Sequence, residues 1–428
     1  MLDITKEKLK SEYKIKDEII ELYEKALKDV KDQFEYYDNI REYNQIKVLN
    51  AMQKERISES HFTNSSGYGY GDIGRDSLDK VYADIFNSES AIVRPHFVNG
   101  THALGCALFG NLRPNDTLLS ICGEPYDTLH GIIGVGDEDC KIGSLKEYGV
   151  NYEQVDLKSD GSIDFEAIKQ HLEKNKSIKI VHIQRSTGYG WRKSFLISDI
   201  KEMIDFVKNI NPNVICLVDN CYGEFIDTLE PTDVGADLAA GSLIKNIGGG
   251  IAPTGGYIVG KDKYVTQAAY RLTVPGIGGE CGSTFGIMRQ LYQGLFFAPH
   301  VAIEALKGAI FCSRIMELAG FSVLPNYKDK RGDIIQAIKF NDKDKLIKFC
   351  KGIQKGSPVD SFAQCEPWDM PGYDDQVIMA AGAFIQGASI ELSADAPIRE
   401  PYIAYLQGGL TFDHAKTGIL IALSDIMK

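Results

Sequence analysis

From residue 90 onward, short β-branched apolar runs alternate with longer amphipathic stretches, and this alternation restricts the fold more than any other feature of the chain. Ala91-Ile92-Val93, residues 117–121 and 152–157, Ile178-Lys179-Ile180-Val181-His182-Ile183 and Val214-Ile215-Cys216-Leu217-Val218 read as strands. Residues 98–112, 164–174 and 199–209 read as helices between them. Such repetition predicts an α/β fold with a mostly parallel sheet covered on both faces. Tyr257-Ile258-Val259 is expected as an edge strand, and 301–319 as a connecting helix. Beyond residue 320 the pattern becomes an α+β layer, with strands at 334–338 and 388–392 and helices at 343–355 and 414–426. Ahead of all this, Ile15, Ile19, Leu22, Tyr23, Leu27, Val30, Phe34 and Tyr37 form a helical stripe within residues 5–57. The expected organisation is a helical arm (1–60), a large α/β domain (61–300), and a linker helix with a small C-terminal α+β domain (301–428). With 428 residues, 44% of them apolar, the chain can fill two cores.

One lysine stands out within that frame. Ala239-Ala240-Gly241-Ser242-Leu243-Ile244-Lys245 runs straight into Asn246-Ile247 and three glycines, which is no setting for a solvated surface charge. Burial penalises the charged amine, lowers its pKa and makes it a usable nucleophile. The carbonyl such a lysine most often meets is pyridoxal phosphate, held as a Schiff base. A buried lysine paired with a carboxylate is the plainer alternative. About 25 residues earlier the 214–218 strand ends in Asp219-Asn220-Cys221-Tyr222. A carboxylate there points into the ligand crevice of an α/β sheet and can keep a pyridine nitrogen protonated. It can equally cap the next turn.

Weaker signals surround this pair. Gly100-Thr101 at a helix start offers backbone N–H groups, a hydroxyl and the positive dipole end to a phosphate, or is simply an N-cap. Tyr126, beyond the 117–121 strand, can stack on a flat ring or pack in the ordinary way. Gly69, Gly71 and Gly74 match a dinucleotide fingerprint, but no strand precedes them, so residues 61–75 read as an irregular loop with exposed tyrosines and an arginine. Residues 275–284 form a second glycine-rich loop, and residues 366–375 a loop too rich in specific side chains to be a linker. Arg399 is favoured for a substrate carboxylate, with Arg185, at the end of the 178–183 strand, as a second candidate.

Composition narrows the classes. A net charge of −12 without a basic stripe argues against nucleic acid and anionic membranes as partners. No apolar signal core opens the chain, no apolar run is seen to approach a membrane span, and a cytoplasmic protein is expected. Nine cysteines without a Cys-x-x-Cys fit reduced thiols, and the eight histidines do not cluster with them as metal ligands would.

The order Gly100-Thr101-His102, Tyr126, Asp219, Ser242-x-x-Lys245 resembles the fold-type-I pyridoxal-phosphate enzymes of cysteine and methionine metabolism. The runs GYGYGDIGRD, VNGTHAL, DNCYGEF, GSLIKNIGGGIAPTGGY and ELSADAPIREPY look like the bacterial methionine γ-lyase-like, or aluminium-resistance, family. The resemblance implies a seven-stranded large domain, and Lys245 as the Schiff-base lysine and proton carrier. It implies Asp219 on the pyridine nitrogen, Tyr126 stacked on the ring, and Tyr222 near the phenolic oxygen. Gly100, Thr101, His102 and Ser242 would hold the phosphate. Tyr70 and Arg75 would reach a neighbour's phosphate in a homodimer or homotetramer with shared active sites, and the loop around Ser283-Thr284 would do the same. Cystathionine β-lyase-like β- or γ-elimination on a sulfur-containing amino acid is the implied reaction. Aminotransfer, other Cα chemistry, or a non-catalytic binding protein on the same fold stay open. Two departures from the trans-sulfuration enzymes are visible: Tyr70 and Arg75 are five residues apart rather than two, and Gln184-Arg185-Ser186 replaces their Ser-Asn-Pro.

Overall fold

The apolar runs pair into two sheets, tied together by the N-terminal helices and one long central helix. The computed structural model describes residues 3–136, 142–370, 373 and 375–427. Helices α1 (Asp3–Tyr13), α2 (Asp17–Asp29) and α3 (Lys31–Lys54) form the arm. It breaks after α1 at Lys14, whose φ is 59°. Ile19, Tyr23 and Ala26 of α2 are buried in the C-terminal core, whereas Tyr37, Val48 and Ala51 of α3 enter the central one. The arm thus joins the two cores.

The large sheet contains β1 (Ser90–Arg94), β2 (Thr117–Ser120), β3 (Asn151–Gln154), β4 (Ile178–Gln184), β5 (Ile215–Asp219), β6 (Leu238–Ser242) and β7 (Gly256–Gly260), in the order β1-β7-β6-β5-β4-β2-β3. The five strands from β6 to β3 are parallel, and β7 runs antiparallel to both β6 and β1. Tyr257-Ile258-Val259 is therefore an inner strand, not an edge: every residue of β7 is buried, with a strand on each side. Around the sheet lie α4 (Ile73–Ile85), α5 (Gly100–Asn111), α6 (Asp127–Ile133), α7 (Phe165–Lys174), α8 (Ile197–Ile210) and α9 (Asp262–Leu272). Alternation divides the strands between two faces. Ile180, Leu217 and Leu238 pack with α5 and α9, whereas Val181, Cys216 and Ala239 pack with α7 and α8.

Helix α10 (Met288–Leu318) starts well before the expected 301 and carries Pro299 inside it, so the expected 300/301 boundary falls within one helix. By length and composition α10 could cross a membrane, which corrects the sequence reading. Its most apolar window is 78% buried inside the protein, as suits a core helix. The small sheet, antiparallel throughout, comprises β8 (Ser322–Leu324), β9 (Gln336–Lys339), β10 (Val377–Ala381), β11 (Ser393–Pro397) and β12 (Ile403–Gln407), ordered β10-β11-β12-β9-β8. Helices α11 (Lys343–Lys355) and α12 (Phe412–Ile426) cover it. The strand expected at 388–392 falls at 393–397 instead. The Glu391 carboxylate accepts the N–H groups of Phe384 and Ile385 and fixes a turn where the apolar run suggested an extended chain.

Candidate active site

Three neighbouring parallel strands end side by side, β6 at Ser242, β5 at Asp219 and β4 at Gln184. Ligands of open α/β sheets lie beyond such ends. Helix α5 begins against them: a Cβ on Gly100 would stand 3.2 Å from both Cys221 Sγ and Ser242 Cβ, so glycine lets the helix start come this close. Asn99 caps α5 by accepting the His102 N–H at 2.9 Å. The N-terminal dipole end and the remaining first-turn N–H groups suit an anion. Thr101 Oγ1 lies 2.9 Å from Thr128 Oγ1, and His102 Nδ1 accepts the Val98 N–H at 3.1 Å. The His102 ring is thus part of the cap, and burial lowers its pKa.

Lys245 sits on the turn leaving β6. The triple glycine after it serves close approach: Gly249 has φ +57°, and a Cβ there would stand 2.3 Å from the Gly294 carbonyl of α10. Asn246 fastens this turn to the one after Asp219, donating to the carbonyls of Tyr222 (2.9 Å) and Glu224 (3.1 Å). That clamp holds Tyr222 at φ +70°, a costly conformation for a non-glycine residue. The Tyr222 ring then lies under Lys245 Nζ, 4.1 Å from its centroid. The expected fall in the Lys245 pKa is not what these surroundings give. Burial does disfavour the ammonium, but Cys221, Tyr222 and Asp219 outweigh it and hold the amine protonated above its usual range.

These groups line a cleft between the sheets. Asp219 is 7% exposed and accepts the Cys221 N–H at 3.1 Å. Tyr126 projects from the loop after β2. Gln184 Oε1 takes its backbone N–H at 2.7 Å, and its hydroxyl meets Tyr373 at 3.0 Å. Burial pushes the Tyr126 phenol far above its usual pKa. Gln184, Cys221, Tyr189, Asp395, Tyr405 and Gln407 also face the cleft and were not singled out from the sequence. Cys221 had a signal, two residues past Asp219. The small-sheet residues had none, because β11 was expected five residues early.

Other expected residues lie elsewhere. Arg185 is fully buried, donates to Asn220 Oδ1 at 2.8 Å near Glu230, and is not among the residues that line the cleft. Arg75 is not an exposed loop arginine. It belongs to the first turn of α4, is 1% exposed, and spends its guanidinium on the Gly69, Gly282 and Glu280 carbonyls and the Asp76 carboxylate. These bonds fasten the two glycine-rich loops to each other, helped by Gly282 N–H to Tyr68 O and Ser283 Oγ to Ser65 O. The joined loops present Tyr68 and Tyr70, stacked 5.5 Å apart and largely exposed. Arg399 is exposed beside the cleft and pairs with Asp375 at 3.0 Å. In the 366–375 loop, Pro371, Gly372 and Asp374 lie outside the described residues.

A sequence profile described as methionine gamma-lyase matches residues 19–427. The chain belongs to the methionine gamma-lyase family. Family members of known structure follow this chain end to end. A crystal structure from Clostridium acetobutylicum, described as a candidate cystathionine beta-lyase involved in aluminum resistance, is 71% identical over all of both chains, with a TM-score of 0.97. A carbon-sulfur lyase involved in aluminum resistance from Clostridium novyi NT is also 71% identical, over 99% of each chain, with a TM-score of 0.95. At 16% identity, covering 91% of this chain and 97% of the other, the pyridoxal-5'-phosphate-dependent protein YhfS from Escherichia coli has a TM-score of 0.60, a likeness of fold.

Proposed function

We propose that this chain is a pyridoxal-phosphate-dependent lyase that breaks a C–S bond of a sulfur-containing amino acid by β- or γ-elimination. The observation that carries this reading is the meeting of Lys245, Asp219 and Tyr126 in one cleft, at the mouth of which α5 begins. The cofactor fits that arrangement. Lys245 supplies the amine, Asp219 a carboxylate for the pyridine nitrogen, Tyr126 a ring face, and Gly100, Thr101, His102 and Ser242 a phosphate cradle that a Cβ on Gly100 would crowd. When bound, pyridoxal phosphate supplies an electron sink for charge developing at the amino acid's Cα. Lys245 holds the cofactor and then carries protons, and Tyr222 beneath Nζ keeps the amine aimed. Arg399 takes the substrate carboxylate, giving up an exposed ion pair with Asp375 of the kind that is worth little. The working unit is a homodimer or homotetramer, in which the joined loops carrying Tyr70 and Tyr68 reach a neighbour's site and Arg75 sets their shape.

Incubation of the holoenzyme with cystathionine, cysteine, methionine and homocysteine tests the reaction. Release of a thiol together with a keto acid and ammonia is the expected result. Transfer of the amino group to an added keto acid, with no thiol released, overturns the lyase reading.

A further inference from the structure

The wall of the cleft opposite Asp219 carries a second acid that elimination itself does not require. Asp395 lies in β11, opposite Tyr405 of β12, and faces the same cavity as Lys245. Gln407 Nε2 donates to its Oδ2 at 3.0 Å, and among the described residues no ion pair joins Asp395 to a cation. Burial pushes the carboxyl up to about 7, while Gln407 and Lys245 draw it back toward ionisation. Lys245 is itself engaged elsewhere, over Tyr222 and beside Cys221.

The surroundings of Asp395 are aromatic. Tyr189 lies at the centre of a ring cluster, 5.8 Å from Tyr126, 5.9 Å from Tyr373 and 5.3 Å from Tyr405. Asp395 is only partly buried, so its carboxylate, with one neutral donor, is open on the cleft side to a cationic group. Tyrosine faces attract cations as well, and an acid set among aromatic rings is the usual way to hold an ammonium group. We propose that Asp395, walled by Tyr126, Tyr189 and Tyr405, binds an ammonium group on the leaving fragment of the substrate. The substrate class is then a thioether or disulfide with an amino-acid group at both ends, not a simple S-alkyl amino acid. This rests on the lyase reading above, and assigns Asp395 to specificity within it.

The test pairs two kinds of measurement on the holoenzyme, wild type and Asp395→Asn. Binding by calorimetry uses 2,6-diaminopimelate and 2-aminopimelate, which have no C–S bond to break and differ in one amino group. Turnover uses cystathionine and S-ethylcysteine. The wild type should bind the diamino compound at least about tenfold more tightly, and Asp395→Asn should lose about ten- to a hundredfold on the diamino compounds alone. Equal wild-type affinity for the two pimelates overturns the assignment, whether or not the variant folds. An equal loss on both members of each pair also overturns it, since Asp395 would then serve a group common to all of them. If no thiol is released from either sulfur compound, the lyase reading fails, while the pimelate comparison still decides the role of Asp395.

Discussion

The two sides of the cleft are built differently. The large-sheet side is set by backbone: three strand ends, a helix start, and the Asn246 clamp on Tyr222 and Glu224. The small-sheet side is set by side chains: Tyr373, Asp395, Tyr405 and Gln407, the two rings leaning on Tyr126 and Tyr189 from the loops after β2 and β4. A backbone-built floor suits chemistry that tolerates little displacement, and a wall of side chains suits recognition that changes with the ligand. Perturbing the floor should therefore damage stability and cofactor retention together, and perturbing the wall should alter substrate preference.

The larger effect is expected from Asn246→Ala. It leaves the Tyr222 and Glu224 carbonyls without their buried donor, which costs about 2–4 kcal/mol, and releases the strained Tyr222 turn. Denaturant unfolding should show that loss, together with weaker retention of the cofactor. Unchanged stability would mean that the clamp is not what holds the floor. A smaller effect is expected from Tyr373→Phe, which removes one hydroxyl contact to Tyr126. About 0.5–1.5 kcal/mol is at stake, appearing as a severalfold rise in KM with kcat and melting temperature held. A fall in kcat without a change in KM would place Tyr373 in the chemistry and blur the division between floor and wall.

The same difference decided what could be read from the chain. Asp219 and Lys245 were legible because each belongs to a local pattern: a β-branched run ending in an acid, and a small-residue run ending in lysine and glycines. Their neighbours followed from the order of the strands. Asp395 was not legible, because its importance comes from Tyr189 and Gln407, which local sequence does not connect to it. An apolar run at 388–392 also drew the strand five residues early, where Glu391 in fact makes a turn. The burial of Arg185 and Arg75 was not legible either, because each guanidinium lies against partners far off in sequence.

The central claim is that Lys245 is the residue that holds pyridoxal phosphate. Borohydride reduction of the purified yellow protein, followed by peptide mapping, tests it directly. The account predicts one phosphopyridoxyl group per chain on Lys245, and a Lys245→Ala variant that takes no label and loses turnover by at least about a thousandfold. A label on any other lysine, or a protein that binds no pyridoxal phosphate, would contradict it.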